Sequence, residues 1–235
     1  MNELSPIRRR LMAAAAALAS SAALPAFAVD LSSLSNSDAS SGLRTALGQG
    51  IDLAVSQLGA PGGFLNDPKV AIPLPPALAK ADKALRLMGK GDQADELKTA
   101  MNHAAESAVS EAQPIFKAAL SNMSVSDAKA ILTGGDDAGT QYFKRTTSTD
   151  LTAKFKPIVA NATRKVQLAS LYNQYAGQAS SLGLVKSKDA DVDSYVTGKA
   201  LDGLFSRIAE KEKEIRQDPV GQSSAILKKV FGALK

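Results

Sequence analysis

The segment LTGGDDAGTQYF, Leu132–Phe143, places Asp136 and Asp137 directly after a glycine pair, with Gln141 and Tyr142 following. Asp137 and Gln141 stand one helical turn apart, so two carboxylates, an amide and a phenol could converge on one pocket. Such a set offers hard oxygen ligands to a cation such as Ca²⁺, or an acid whose pKa is raised for general acid-base work. The same residues also read as helix punctuation. Ser124, three residues before Asp127, predicts a capping box opening a helix at Val125, and Gly134 fits the left-handed residue that ends it. Asp136 then caps the next helix and Asp137 sits in its first turn, against free amides and the positive end of the dipole. Adjacent acids diverge on a helix, no EF-hand spacing follows and no histidine joins them. The stretch therefore predicts a cap or a small binding surface, with no metal site and no cofactor.

Other chemistry is thin. His103 is the only histidine, so a Ser-His-Asp scheme would have to pass through it. It shares a helix face with Glu96, Thr99, Glu106 and Ser110, opposite Leu97, Met101 and Ala108, which predicts a solvated residue beside Glu106. With no cysteine and one histidine, the sequence also lacks the usual Cys/His ligands of a zinc site. Ser126 and Lys129 match an S-x-x-K spacing, but the S-D-N and K-T-G motifs that accompany it in cell-wall enzymes are missing. Tyr172 and Tyr175, flanking Asn173 and Gln174, suit either a groove shared with Tyr142 and Phe143 or the core. No complete catalytic constellation emerges.

The elements that must position these residues are helical. Leu43, Leu47, Ile51, Val55 and Leu58 recur at helical spacing and predict a first helix from Gly42. Gly59–Pro76 holds five prolines and three glycines, which forbids a helix, while its apolar Phe64, Leu65, Val70, Ile72 and Leu74 predict an ordered loop lying across the domain. Long loops of this kind usually bind or cover something, which makes Phe64 and Asn66 candidate contact residues. Helices are then predicted over Pro76–Met88, Asp92–Met123 with a kink or break at Pro114, Val125–Thr133, Thr149–Val166, Leu168–Ser180 and Val192–Gln217. Glu210–Arg216 reads as the charged outer end of the last of these. A final helix starts near Asp218-Pro219. Gly198 and Gly203, costly inside a helix, predict a close helix crossing. The class is all-α: an irregular multi-helix bundle with one long Pro/Gly-rich ordered loop.

The amino end, MNELSPIRRRLMAAAAALASSAALPAFAVD, sets three arginines before a short apolar run and closes on Ala26-Phe27-Ala28. This predicts a cleavable export signal over residues 1–28, a flexible linker over 29–41 and a single domain over 42–235. Arg8-Arg9-Arg10-Leu11-Met12 also suits folded export, so both routes stay open. The run is too short and too rich in alanine and serine to span a membrane. Without cysteine there is no disulfide and no lipoprotein anchor. Loss of Arg8, Arg9, Arg10 and Glu3 with the leader takes the formal charge from +5 to +3, spread without a basic cluster. That pattern argues against nucleic acid and against a basic membrane-binding face.

The blocks GFLNDPKVAIPLP, ILTGGDDAGTQYF, KFKPIV and YVTGKALDGLFSRIAEKEKEIRQDP, in this order, resemble a bacterial family of exported proteins called domain of unknown function 4197. The resemblance spans Gly42 to Phe231. It implies export and a largely helical domain, and carries over no catalytic residue. The expectation is a periplasmic or secreted, non-enzymatic binding module for an envelope protein or small ligand, contacting it through Asp136, Asp137, Gln141, Tyr142, Phe64 and Asn66. A hydrolase acting through Asp136 or Asp137, and a peripheral membrane protein, are the alternatives.

Overall fold

Eight helical segments account for nearly all the regular structure of the computed structural model, which describes residues 36–87, 89, 91–173 and 191–218; no strand occurs among them. They are α1 Asn36–Gly59, α2 Pro76–Leu87, α3 Gly91–Val109, α4 Gln113–Asn122, α5 Val125–Leu132, α6 Ala138–Thr163, helical residues 167–173 (α7) and α8 Val192–Gln217. The apolar stripe of α1 is buried in full, from Leu43 to Leu58. The helix starts at Asn36, inside the segment expected to be a linker, and Ser40 is already buried. The leader, Tyr175 and the helix expected after Asp218 lie outside the described residues.

Two predicted helices change their limits for local reasons. The stretch 92–123 divides into α3 and α4 with Pro114 in the first turn of α4, where its missing N–H costs no hydrogen bond. α6 begins at Ala138 rather than Thr149 and runs through Pro157. Its early turns hold Thr146, Thr147, Ser148 and Thr152, whose hydroxyls donate to carbonyls four residues back. Threonine and serine are poor helix formers by propensity, yet here their polar groups stay satisfied on the helix itself.

α6 and α8 pair antiparallel: the Thr163 hydroxyl donates to Asp193 at one end, and the amides of Gly139 and Thr140 meet Glu212 at the other. Phe116 of α4 packs edge-on against Phe143 of α6 and Phe205 of α8, with ring centroids 5.5 and 6.3 Å away. The core therefore sits where α1, α3, α4, α6 and α8 converge.

The loop between α1 and α2 is fastened along its length. Gly62 takes φ 81°, a conformation open to glycine at little cost, and turns the chain so that Phe64 enters the core with no exposed surface. A Cβ on Gly203 of α8 would stand 2.8 Å from Cε1 of Phe64, so the absence of a side chain there makes the notch for the ring. Gly198 faces open space and takes no part in a crossing. The two glycines should thus respond in opposite ways to alanine. Gly203→Ala overpacks a site that cannot yield and is expected to cost about 1–3 kcal/mol. Gly198→Ala removes only the entropic penalty of a helical glycine and should stabilise by about 0.5–1 kcal/mol. Urea unfolding of the two variants beside the parent chain checks both signs.

Candidate functional site

The glycine-aspartate turn is built differently from its expected form. Gly134 is absent from the positive-φ glycines, contrary to the left-handed role expected of it; a Cβ there would meet Ala138 Cβ at 2.6 Å and Ala130 O at 2.9 Å, so close approach demands the glycine. The Ser124–Asp127 capping box is present, with the Asp127 amide donating to Ser124 Oγ at 3.1 Å and the Ser124 amide donating to Asp127 at 3.0 Å. Those bonds from Ser124 hold the Asp127 carboxyl below its usual pKa.

The expected capping by Asp136 and Asp137 does not occur. Asp137 stands at the N-cap of α6 without a side-chain bond to the backbone, and accepts instead from Gln141 Nε2 at 2.8 Å. Asp136 is exposed, 3.8 Å from Lys213. The cap comes from α8: Glu212, 4% exposed, accepts from the Gly139 amide and the Thr140 amide at 2.8 Å each, and from the Thr140 hydroxyl at 2.8 Å. With the Ala138 amide on Gly135 O and the Gln141 amide on Asp137 O, all four leading amides of α6 are satisfied. Arg216 balances the buried charge at 2.8 Å and donates onward to Ile131 O. Glu212 therefore belongs to the interior, not to the charged outer end of α8.

Asp136 and Asp137 consequently face solvent and stand outside the concavities along Ser148–Ala160, between α4 and α6, and beside Glu212. No group of three or more acids and histidines placed to hold a metal ion occurs among those residues. The Asp136→Asn, Asp137→Ala double variant should move stability by no more than about 1 kcal/mol, since it removes one exposed ion pair and some favourable charge near a helix start. Added Ca²⁺ should shift the melting point of neither form; differential scanning calorimetry reads both.

The loop residues are also committed to structure. Phe64 is wholly buried and cannot touch a ligand, while Asn66 is exposed beside Gly62. Glu106 of α3, 4% exposed, accepts from the amides of Phe64 at 3.0 Å and Leu65 at 3.2 Å, with His103 Nδ1 2.8 Å from its other oxygen. Burial pushes the Glu106 pKa up, but the bonds from His103 and from the amides of Leu65, Phe64 and Gly62 outweigh it and hold the group ionised below its ordinary value. Asn102 grips the loop a second time, accepting from Ile72 N at 2.8 Å and donating to Ile72 O at 3.0 Å. The Tyr195 hydroxyl donates to Pro73 O at 3.2 Å, and Arg207 pairs with Asp67. His103 is exposed as expected, but its neighbour Glu106 is not.

One of the six expected contact residues does line a concavity. Tyr142, 5% exposed, donates its hydroxyl to Ala119 O at 3.0 Å, and its ring forms part of an open groove of about 580 Å³ between α4 and α6. Burial, with the nearby Asp127 carboxylate, raises the Tyr142 pKa. Pro114, Ile115, Ala118 and Ala119 supply an apolar wall. Asn122, Asp127, Arg145 and Asp150 stand around it, with the Arg145 guanidinium 5.6 Å from the Tyr142 ring centroid. Arg145, Asp150 and Asn122 spend no side-chain hydrogen bond on the described residues. Sequence reasoning missed this trio because it drew a helix start at Asp136-Asp137 and a separate helix from Thr149, and so did not join Tyr142, Arg145 and Asp150 on one helix facing Asn122. A helix drawn from Ala138 would have put Tyr142, Arg145, Thr146 and Asp150 on neighbouring turns. Tyr172 and Phe143 belong to the core.

Among the described residues no helix is long and apolar enough to cross a membrane. Neither a curated protein nor a solved structure matches the chain. A family model does, over residues 33–232, which covers all of the helices described above. The chain belongs to the family described as protein of unknown function (DUF4197).

Proposed function

We propose that the protein is an exported, non-enzymatic binding module of the cell envelope and that it meets its partner through the α4–α6 groove. The observation that supports this most is the division of labour among its polar side chains. The buried carboxylates Glu106 and Glu212 are spent on backbone amides, and Asp136 and Asp137 are exposed and do not line the groove. Around the groove, in contrast, Arg145, Asp150 and Asn122 surround an apolar wall and make no side-chain hydrogen bond or ion pair with the described residues, Arg145 resting over the Tyr142 ring with Asp127 nearby. A mostly apolar concavity with a few convergent polar groups is the general form of a binding site. The leader-like residues 1–28 support export, and the absence of cysteine leaves attachment by a lipidated cysteine without a residue to carry it.

Photo-crosslinking in living cells tests the reading. A benzophenone amino acid at Thr146, an exposed position beside the groove, should yield an adduct of defined mass in the periplasmic fraction. The adduct should vanish in the Arg145→Glu, Asp150→Lys variant while the protein level stays constant. An adduct that survives those two charge reversals, or a protein retained in the cytoplasm, would overturn it.

A further inference from the structure

Resting on that reading, the charges of the groove point to a class of occupant. α4 and α6 run antiparallel along it, with Tyr142 against Ala119 at one end and Lys154 paired with Glu111 beyond the other. Arg145 and Asp150 both line it from the same helix, five residues apart, which separates them by roughly 7.5 Å along the axis. The signs are opposite. Asp127 adds a second carboxylate near Arg145, but it is held by Ser124 through its capping box. Among the described residues lining the groove, Arg145 near the Tyr142 end keeps its N–H donors unbonded although it rests over the Tyr142 ring and feels the Asp127 charge, and Asp150 toward the Pro114 end accepts no side-chain hydrogen bond, with Asn122 able to donate and accept beside the former.

We infer that the groove takes a short zwitterionic peptide, its carboxylate on Arg145 and its ammonium on Asp150. An extended chain advances about 3.3–3.6 Å per residue, so two or three residues match the axial offset between positions 145 and 150, and the long Arg145 side chain supplies the remaining reach. The side chains of such a peptide would lie on Ile115, Ala118 and Ala119, and the Asn122 amide can meet a main-chain group. Arg145 suits a carboxylate better than a lysine would, because its planar fork binds two oxygens at once and its face already rests toward the Tyr142 ring. Both residues are exposed and outside the core. A ligand with a single charge would leave one end of the groove unanswered, and a long folded partner would have to present a chain terminus there.

Isothermal titration of the protein with alanyl-leucyl-alanine, its N-acetyl form and its C-terminal amide tests the inference through the pattern of losses. The free tripeptide should bind, and each blocked form should bind at least tenfold more weakly. In Asp150→Asn the penalty for N-acetylation should vanish while that for amidation remains; in Arg145→Gln the reverse should hold. Equal binding of the three peptides, penalties that do not follow the two residues, or no binding of the free tripeptide would each overturn the peptide assignment. The binding-module reading stands or falls separately, because the Thr146 adduct in cells depends on whichever partner occupies the groove. An adduct lost in the charge-reversed variant, beside peptides that do not bind, would sink the ligand class alone.

Discussion

Replacing Glu212 with alanine should cost about 3–5 kcal/mol, the range expected when one partner of a buried ion pair is removed. The carboxylate serves four donors at once: the amides of Gly139 and Thr140, the Thr140 hydroxyl and Arg216. Alanine leaves two amides at the start of α6 without acceptors, and it takes from Arg216, whose side chain is 11% exposed, the carboxylate it pairs with at 2.8 Å. The cavity beside Glu212 measures only about 10 Å³. For a domain of this size the loss lowers the melting temperature by on the order of 10 °C. Circular dichroism melts of Glu212→Ala and Glu212→Gln, with Asp137→Ala as the control at the nominal cap, check it. Asp137→Ala should melt close to the parent chain. If it fell further than Glu212→Ala, the cap would reside in the glycine-aspartate turn after all.

Glu106→Gln should weaken the protein at neutral pH and make it less sensitive to acid. The folded-state pKa of Glu106 lies below its unfolded value, because the hydrogen bonds of the loop and His103 favour the ionised form. Its contribution is therefore complete above the unfolded pKa of about 4.3 and disappears as pH falls through the lower, folded value. Glutamine keeps an acceptor for the Phe64 and Leu65 amides but has no charge to lose. The gap in melting temperature between the parent and Glu106→Gln should thus be widest near pH 7 and should close by about pH 3. Hydrogen exchange at Phe64 and Leu65 should accelerate in the variant at neutral pH, since these amides report directly on the grip. A gap that stayed constant with pH would mean that the carboxylate is not the ionised acceptor the geometry indicates.

These two acids also show where a sequence stops being legible. The apolar face of α1 could be read because each residue carries its own burial preference, and Leu43, Leu47, Ile51, Val55 and Leu58 repeat it in register. Pro114 announced the break between α3 and α4, and Ser124 with Asp127 announced the start of α5. Glu106 and Glu212 gave the opposite signal. Each sits among charged or polar neighbours, so spacing assigns it to solvent; what draws it inward is a backbone amide far away in the chain, at Phe64 for the one and Gly139 for the other. The groove was hidden by a different effect. Threonine and serine between Thr146 and Thr152 are weak helix formers, and the helix opened at Asp136-Asp137 was not joined through them to the one expected from Thr149, although local hydroxyl bonds carry the helix through. Tyr142 was singled out for its place beside Asp136 and Asp137 and reaches the groove with other companions. Asp136, Asp137 and Gln141 remain a surface turn, Asn66 an exposed loop residue and Phe64 an anchor in the core.

The remote cap also bears on how the chain must be made. The start of α6 takes its acceptor from residue 212, and α1 packs against α8 as well, where a Cβ on Gly50 would touch Ile215. Two segments more than seventy residues apart in sequence must therefore meet before either is finished: the amides of Gly139 and Thr140 find their carboxylate, and the inner face of α1 its cover, in the same event.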